Sequence, residues 1–216
     1  MEPSRSSAHS IAACIDRLRV DRNFLEAEVI GREALANGIT DAAVQIALGR
    51  LELSRSCYDD ALGYFENAIR CDPSSGVAVA WQIATLCRLK YFNEAEKVGL
   101  VALLKFPLQI AVLITVGRLH LDRYRREKSI KEFDKALEVD PLNSTALRWR
   151  VSALRELRRF GEAESAARSA IGACPHEPLL LAQLGRVYDD QGKYEEALEW
   201  FGKALEVDPL NSTALR

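Results

Sequence analysis

Residues 178–211 read PLLLAQLGRVYDDQGKYEEALEWFGKALEVDPLN, and their spacing decides the fold. Numbered 1 to 34, the stretch places Leu181 at 4, Leu184 at 7, Gly185 at 8 and Tyr188 at 11. Ala197, Phe201, Ala204 and Pro209 fall at 20, 24, 27 and 32. Positions 4, 7, 8 and 11 form one stripe at helical spacing, and 20, 24, 27 and 28 form another. Proline at 32 lacks an N–H and disfavours α geometry in the residue before it, so the second helix stops near position 30. The stretch reads as a helix–turn–helix.

The same register recurs along the whole chain. Steps of 34 residues give repeats 8–41, 42–75, 76–109, 110–143, 144–177 and 178–211, with 1–7 before them and 212–216 after. Position 27 is alanine every time, from Ala34 to Ala204, and position 20 is alanine except for Ser129. Position 32 is proline in every repeat but the first, which has Ile39. Alanine at 20 and 27 lets two helix backbones approach closely. No such pair can bury its own apolar faces, so neighbours must stack to make a continuous core.

This pattern resembles the tetratricopeptide repeat family. The resemblance covers nearly the whole chain and implies an all-α fold. That fold would be a right-handed superhelical solenoid of six 34-residue repeats, with the first helix of each pair lining a concave surface. It further implies a binding role, with positions 2, 5, 6, 9, 12 and 13 of the first helix facing the groove.

A period of 68 lies over the period of 34. Even repeats pair glycine at 8 with phenylalanine at 24: Gly49/Phe65, Gly117/Phe133 and Gly185/Phe201. Odd repeats invert this, as Ile15/Gly31, Ile83/Gly99 and Val151/Ala167, and share Glu-Ala-Glu at 26–28, 94–96 and 162–164. Cores tolerate changes that keep total volume, so the inversion reads as an exchange of volume between the two positions. FDKALEVDPLNSTALR at 133–148 recurs as FGKALEVDPLNSTALR at 201–216, which a tandem duplication would explain. The second copy ends without a capping element, which equally suggests a fragment of a longer array, an engineered truncation or an end covered by a partner. Segment 212–216 would begin a further helix. Phe201, Ala204 and Leu205 on the last full helix are expected to have little cover, which offers a route to homo-oligomers.

Composition narrows the function. With 29 basic and 31 acidic residues the chain is nearly neutral, which argues against a broad footprint for nucleic acid. No apolar run approaches a membrane span, and no basic segment precedes an apolar core as in a signal peptide. The first seven residues, MEPSRSS, are polar and expected to be frayed. The five cysteines are odd in number and form no CxxC pair, so free thiols in a reducing, cytoplasmic setting are expected.

No catalytic constellation emerges. The three histidines are His9 near the frayed end, His120 in the slot that Tyr188 fills in the sixth repeat, and His176 in a loop. A Cys174–His176 zinc pair lacks further ligands at suitable spacing. Glycine-rich phosphate loops are absent, and carboxylate pairs such as Asp59-Asp60 and Asp189-Asp190 read as turns and solvated faces. No enzyme activity, metal or cofactor is expected.

The groove positions implied by the resemblance carry the functional signal. Position 9 is Arg50, Arg118 and Arg186 in the even repeats, and position 6 is Trp81 and Trp149 in the third and fifth. Arg88 and Arg148 also fall at groove positions, among Ile46, Leu53, Val77, Ile114, Leu121, Asp122, Arg155, Leu179, Asp189 and Asp190. Arginine and tryptophan are enriched at binding hot spots, and a guanidinium pairs bidentately with a carboxylate. The alternative is internal: the arginines pair with Asp122, Asp189 or carboxylates of adjacent helices, and the tryptophans stack on them. Family members that clamp chaperone carboxylate termini have lysine at 5 and asparagine at 9. Here Ala12/Asp16 and Ile46/Arg50 stand there, so that ligand is not expected. The reading is a non-catalytic scaffold that binds a protein segment with hydrophobic and acidic residues. Alternatives are the sensor or regulatory arm of a larger enzyme or signalling protein, and a self-assembling oligomer.

Overall fold

The computed structural model describes residues 5–215. Among them are twelve α-helices and no strand. The first helices of the repeats are α1 (Arg5–Val20), α3 (Ala42–Ser54), α5 (Gly76–Arg88), α7 (Ile110–Asp122), α9 (Ser144–Glu156) and α11 (Pro178–Asp190). The second helices are α2 (Phe24–Ala36), α4 (Tyr58–Cys71), α6 (Phe92–Lys105), α8 (Arg126–Val139), α10 (Phe160–Ala173) and α12 (Tyr194–Val207). The fold is an all-α helical-repeat solenoid of six helix pairs, three in each of two compact units, Met1–Pro107 and Leu108–Arg216.

Each unit is built alike. Adjacent first helices approach within 8 Å between Cα atoms (α1 on α3 on α5, and α7 on α9 on α11), whereas adjacent second helices do not, among the described residues. Spacing that is tighter on one side than on the other curves a stack towards the tighter side. The first helices therefore lie on the inside of each unit.

Helix ends follow from local chemistry. Every first helix closes in a Schellman turn. In α1, Asn23 N–H donates to Leu18 O at 2.9 Å and Arg22 N–H to Arg19 O at 3.2 Å. The turn needs a left-handed residue at position 15. Gly192 supplies it in the last repeat, while Arg22, Ser56, Lys90, Tyr124 and Arg158 adopt φ of 58–64° without that freedom. Asp41, Ser75 and Asn143 cap α3, α5 and α9 by accepting from backbone N–H groups.

Position 32 is explained by its exception. Five second helices stop at position 30 ahead of proline. In the first repeat, where Ile39 replaces it, Gly38 adopts φ +78° and Ile39 N–H donates to Ala34 O at 2.9 Å. A glycine Schellman turn thus ends α2 where proline ends the rest.

All twelve residues at positions 20 and 27 are buried, Ser129 included. Ser129 is accommodated because its hydroxyl donates to Arg126 O at 2.7 Å. In the even repeats the phenylalanine ring occupies the space that a side chain at position 8 would fill. A Cβ on Gly49 would sit 2.6 Å from Phe65 Cε1, and one on Gly185 would sit 2.7 Å from Phe201. The first repeat departs from the expected exchange. The space at Gly31 is taken by Leu48 of the following repeat, not by Ile15 of its own. A second helix packs against two first helices, so either one can supply the missing volume.

The ends differ from the sequence reading in detail. Residues 1–4 of the segment expected to be frayed lie outside the described residues, and 5–7 stand in the first turn of α1. Residues 212–214 form a single turn capped by Asn211, whose Oδ1 accepts from Thr213 and Ala214 N–H at 3.1 and 3.2 Å, and Arg216 lies outside the described residues. Ala204, expected to lack cover, is buried in a cluster with Leu181, Ala182 and Ala214. Small side chains at close helix contacts are covered by the neighbouring backbone, so Ala204 needs no further helix.

Candidate functional site

In the first unit the site is centred on Arg50, on α3. Its Nη1 lies 2.6 Å from Asp16 Oδ2, on α1, and its guanidinium stands 5.4 Å from the centre of the Trp81 indole, on α5. Asp16 also accepts from Arg19 Nε at 3.1 Å, so one carboxylate serves two arginines. Trp81 stacks on Phe65 with ring centres 5.9 Å apart and planes 12° apart. Phe65 is fully buried on Gly49, so the glycine sets the seat of the ring that supports Trp81. Burial lowers the pKa of Arg50, and Asp16 opposes that shift. The guanidinium retains its charge at any physiological pH.

Two regular offsets explain this assembly. In a stack of equal repeats, residue i meets i + 34 on the next first helix, as Asp16 meets Arg50. Position 9 likewise reaches position 6 of the next repeat, as Arg50 reaches Trp81.

The second unit repeats the motif with an added cation. Arg118, on α7, lies 4.9 Å from the Trp149 ring centre, and Arg148 lies 5.1 Å from the same ring. Arg148 is half-buried and forms no ion pair among the described residues. Burial and Arg118 lower its pKa, whereas Glu177 raises it. Nearby, Arg155 Nε lies 3.3 Å from Asp190 Oδ2, with a side chain only 10% exposed. That ion pair lacks hydrogen-bond geometry, and the Nε–H is without an acceptor. Burial and then Arg186 lower the pKa of Arg155, while Asp190 raises it.

The structure thus joins Arg50 with Trp81, and Arg118 and Arg148 with Trp149. Arg186 is half-buried on α11, within electrostatic reach of Arg155. Arg88 is exposed at the end of α5 and joins neither cluster. Asp16 was named in the sequence only as a departure from the chaperone-binding pattern, yet it is the carboxylate that Arg50 holds. The 34-residue offset was the signal that would have found it. The expected internal pairing with carboxylates of adjacent helices is met by Asp16 for Arg50 and Asp190 for Arg155, while Asp122 and Asp189 form no ion pair with either arginine among the described residues.

The first unit also holds a cavity of about 930 Å³ beside the starts of α1, α3 and α5. Ile39, Ile46 and Val77 give it apolar wall, Asp41 and Asp72 give it negative charge, and no arginine or lysine lines it among the described residues. Among the described residues, Glu52, Cys57 and Asp60 bring possible metal-ligand atoms within 4.8 Å of one another. Arg55 Nη1 already lies 3.1 Å from Glu52 there, so the carboxylate is engaged. No helix among the described residues is long and apolar enough to cross a membrane.

Comparison with known proteins agrees with this geometry. Tetratricopeptide repeat family models match residues 178–211 and 116–178. RNA polymerase II-associated protein 3 of Mus musculus is 25% identical over 176 residues, which are 72% of this chain and 26% of that protein. Small glutamine-rich tetratricopeptide repeat-containing protein 2 of Saccharomyces cerevisiae is 33% identical over 87 residues, 40% of this chain and 25% of its own. The chain therefore spans about a quarter of the length of the curated relatives it matches. The crystal structure of a tetratricopeptide repeat protein from Parabacteroides merdae superposes with a TM-score of 0.76 at 14% identity, covering 99% of this chain and 84% of that one. Proteins built this way are generally non-catalytic scaffolds for protein–protein interaction. The 34-residue register, the helix pairs built on it and these matches converge: the chain belongs to the tetratricopeptide repeat family.

Proposed function

We propose that the first-helix face of each unit can hold a segment of a partner polypeptide. The observation that carries the reading is the arginine-on-tryptophan pair, formed once in each unit at positions 68 residues apart, Arg50/Trp81 and Arg118/Trp149. A desolvated guanidinium over an indole offers both charge-assisted hydrogen bonds and a flat apolar surface. Such a face suits an extended or helical segment with hydrophobic and acidic residues. Arg88 would extend contact along the face of the first unit and Arg186 along that of the second.

The test is affinity capture from cells of the source organism with wild type and with an Arg50→Glu, Arg118→Glu, Arg186→Glu variant whose circular dichroism is unchanged. A polypeptide held by the wild type and lost by the variant is the expected result. Capture of the same polypeptide by both would move binding off this face. A second reading makes the repeats the sensing arm of a longer protein, and the greater length of the curated relatives favours it.

A further inference from the structure

We infer that the Trp149 subsite takes a carboxylate from the bound segment and that the Trp81 subsite does not. This assignment rests on the reading that the first-helix face holds that segment. The two subsites are copies 68 residues apart, so their differences carry the argument. Trp81 meets one guanidinium, that of Arg50, and Arg50 already holds Asp16 at 2.6 Å. Trp149 meets two, those of Arg118 and Arg148. The residue that corresponds to Arg148 in the first copy is Ala80.

The second copy has therefore gained a cation on its indole. Arg148 is half-buried, forms no ion pair among the described residues, and faces repulsion from Arg118. Glu177 acts on it only at longer range. A half-buried cation without a close counter-charge is unfavourable, and an arriving carboxylate relieves it. Asp16 shows the geometry that such a group would adopt, a carboxylate oxygen on an arginine whose plane lies over an indole. In the first copy the chain supplies this carboxylate itself, which satisfies Arg50 and leaves less attraction for an external acid.

The test is calorimetry on the full chain with two blocked peptides. One is acetyl-Leu-Glu-Glu-Leu-Leu-Glu-amide, and the other replaces each glutamate by glutamine. The wild type is expected to bind the glutamate peptide at one site, about tenfold more tightly than its neutral counterpart. Arg148→Ala, which installs the residue of the first copy, should remove that preference, and Arg148→Lys should retain part of it. Asp16→Asn should create a second acid-binding site by freeing Arg50. Thermal melts of each variant separate loss of binding from loss of fold.

A preference that survives Arg148→Ala, or that disappears in Arg50→Ala, overturns the assignment. Equal binding of the two peptides that is lost in Trp149→Ala overturns the carboxylate claim and leaves binding on this face standing. Glutamate-peptide binding that ignores both Trp149→Ala and Arg148→Ala overturns both. No heat from either peptide up to about 1 mM overturns the assignment as well.

Discussion

Replacing Gly49 by alanine tests how the core supports the site. Carbon atoms are comfortable at about 3.5–4.0 Å, but a Cβ at Gly49 would meet Phe65 Cε1 at 2.6 Å, Cζ at 2.7 Å and Cδ1 at 3.0 Å. The Phe65 ring must retreat by about 1 Å to restore that spacing. It is fully buried and stacks on Trp81, so it has no free direction in which to move. Overpacking of this kind costs about 1–3 kcal/mol, whereas alanine in place of glycine within a helix returns about 1 kcal/mol. The expected net loss is about 1 kcal/mol. Gly63, on α4, is the internal control, because nothing lies within 4 Å of a Cβ built there. Gly63→Ala should therefore stabilise by about 1 kcal/mol. Urea unfolding reads both, and Phe65→Leu combined with Gly49→Ala should recover part of the loss in a double-mutant cycle. If Gly49→Ala stabilises as much as Gly63→Ala, the packing account is wrong. Trp81 fluorescence should also change in Gly49→Ala and not in Gly63→Ala, since only the former displaces its support.

Two further outcomes follow from particular hydrogen bonds. Ile39→Pro would match the other five repeats in sequence, yet it should destabilise by about 1–3 kcal/mol in urea unfolding, because Ile39 N–H closes the turn on Ala34 O and proline has no N–H. Glu164 accepts from Tyr188 Oη at 2.6 Å and from Arg168 Nε at 3.0 Å, contacts that hold its carboxyl below the usual range. A depressed carboxyl pKa adds stability above the unfolded value, and that stability is lost as pH falls through the folded one. Glu164→Gln should thus cost about 1 kcal/mol at pH 7, with the gap to wild type closing below about pH 4, as unfolding across a pH series would show.

The architecture was legible because each of its determinants is a local residue type at a fixed offset. Alanine at 20 and 27 marks close helix contacts, and all twelve such positions are buried, with Ser129 standing in for alanine. Proline at 32 marks the end of a second helix. The positive-φ residue at 15 was legible only in Gly192, because Tyr124 and Arg158 adopt the same geometry with side chains that give no hint of it. Their conformation is imposed by the Schellman hydrogen bonds of the turn.

The site was half legible. Residue types and groove positions single out Arg50, Trp81, Arg118 and Trp149, because a repeat fixes which face a position joins. Which carboxylate each arginine would find was decided by side-chain reach across neighbouring helices. Arg50 takes Asp16 rather than an acid of its own or a later repeat, and Arg155 takes Asp190 rather than Asp122. The space beside Gly31 is likewise filled by Leu48 from the next repeat, a contact that no pattern within one repeat contains. Period and composition therefore determined the helices, their ends and the faces they present, since these depend on residues close in sequence. The charge balance at Trp81 and Trp149 was left to the tertiary structure, because it depends on atoms 31 and 34 residues apart meeting within a few ångströms.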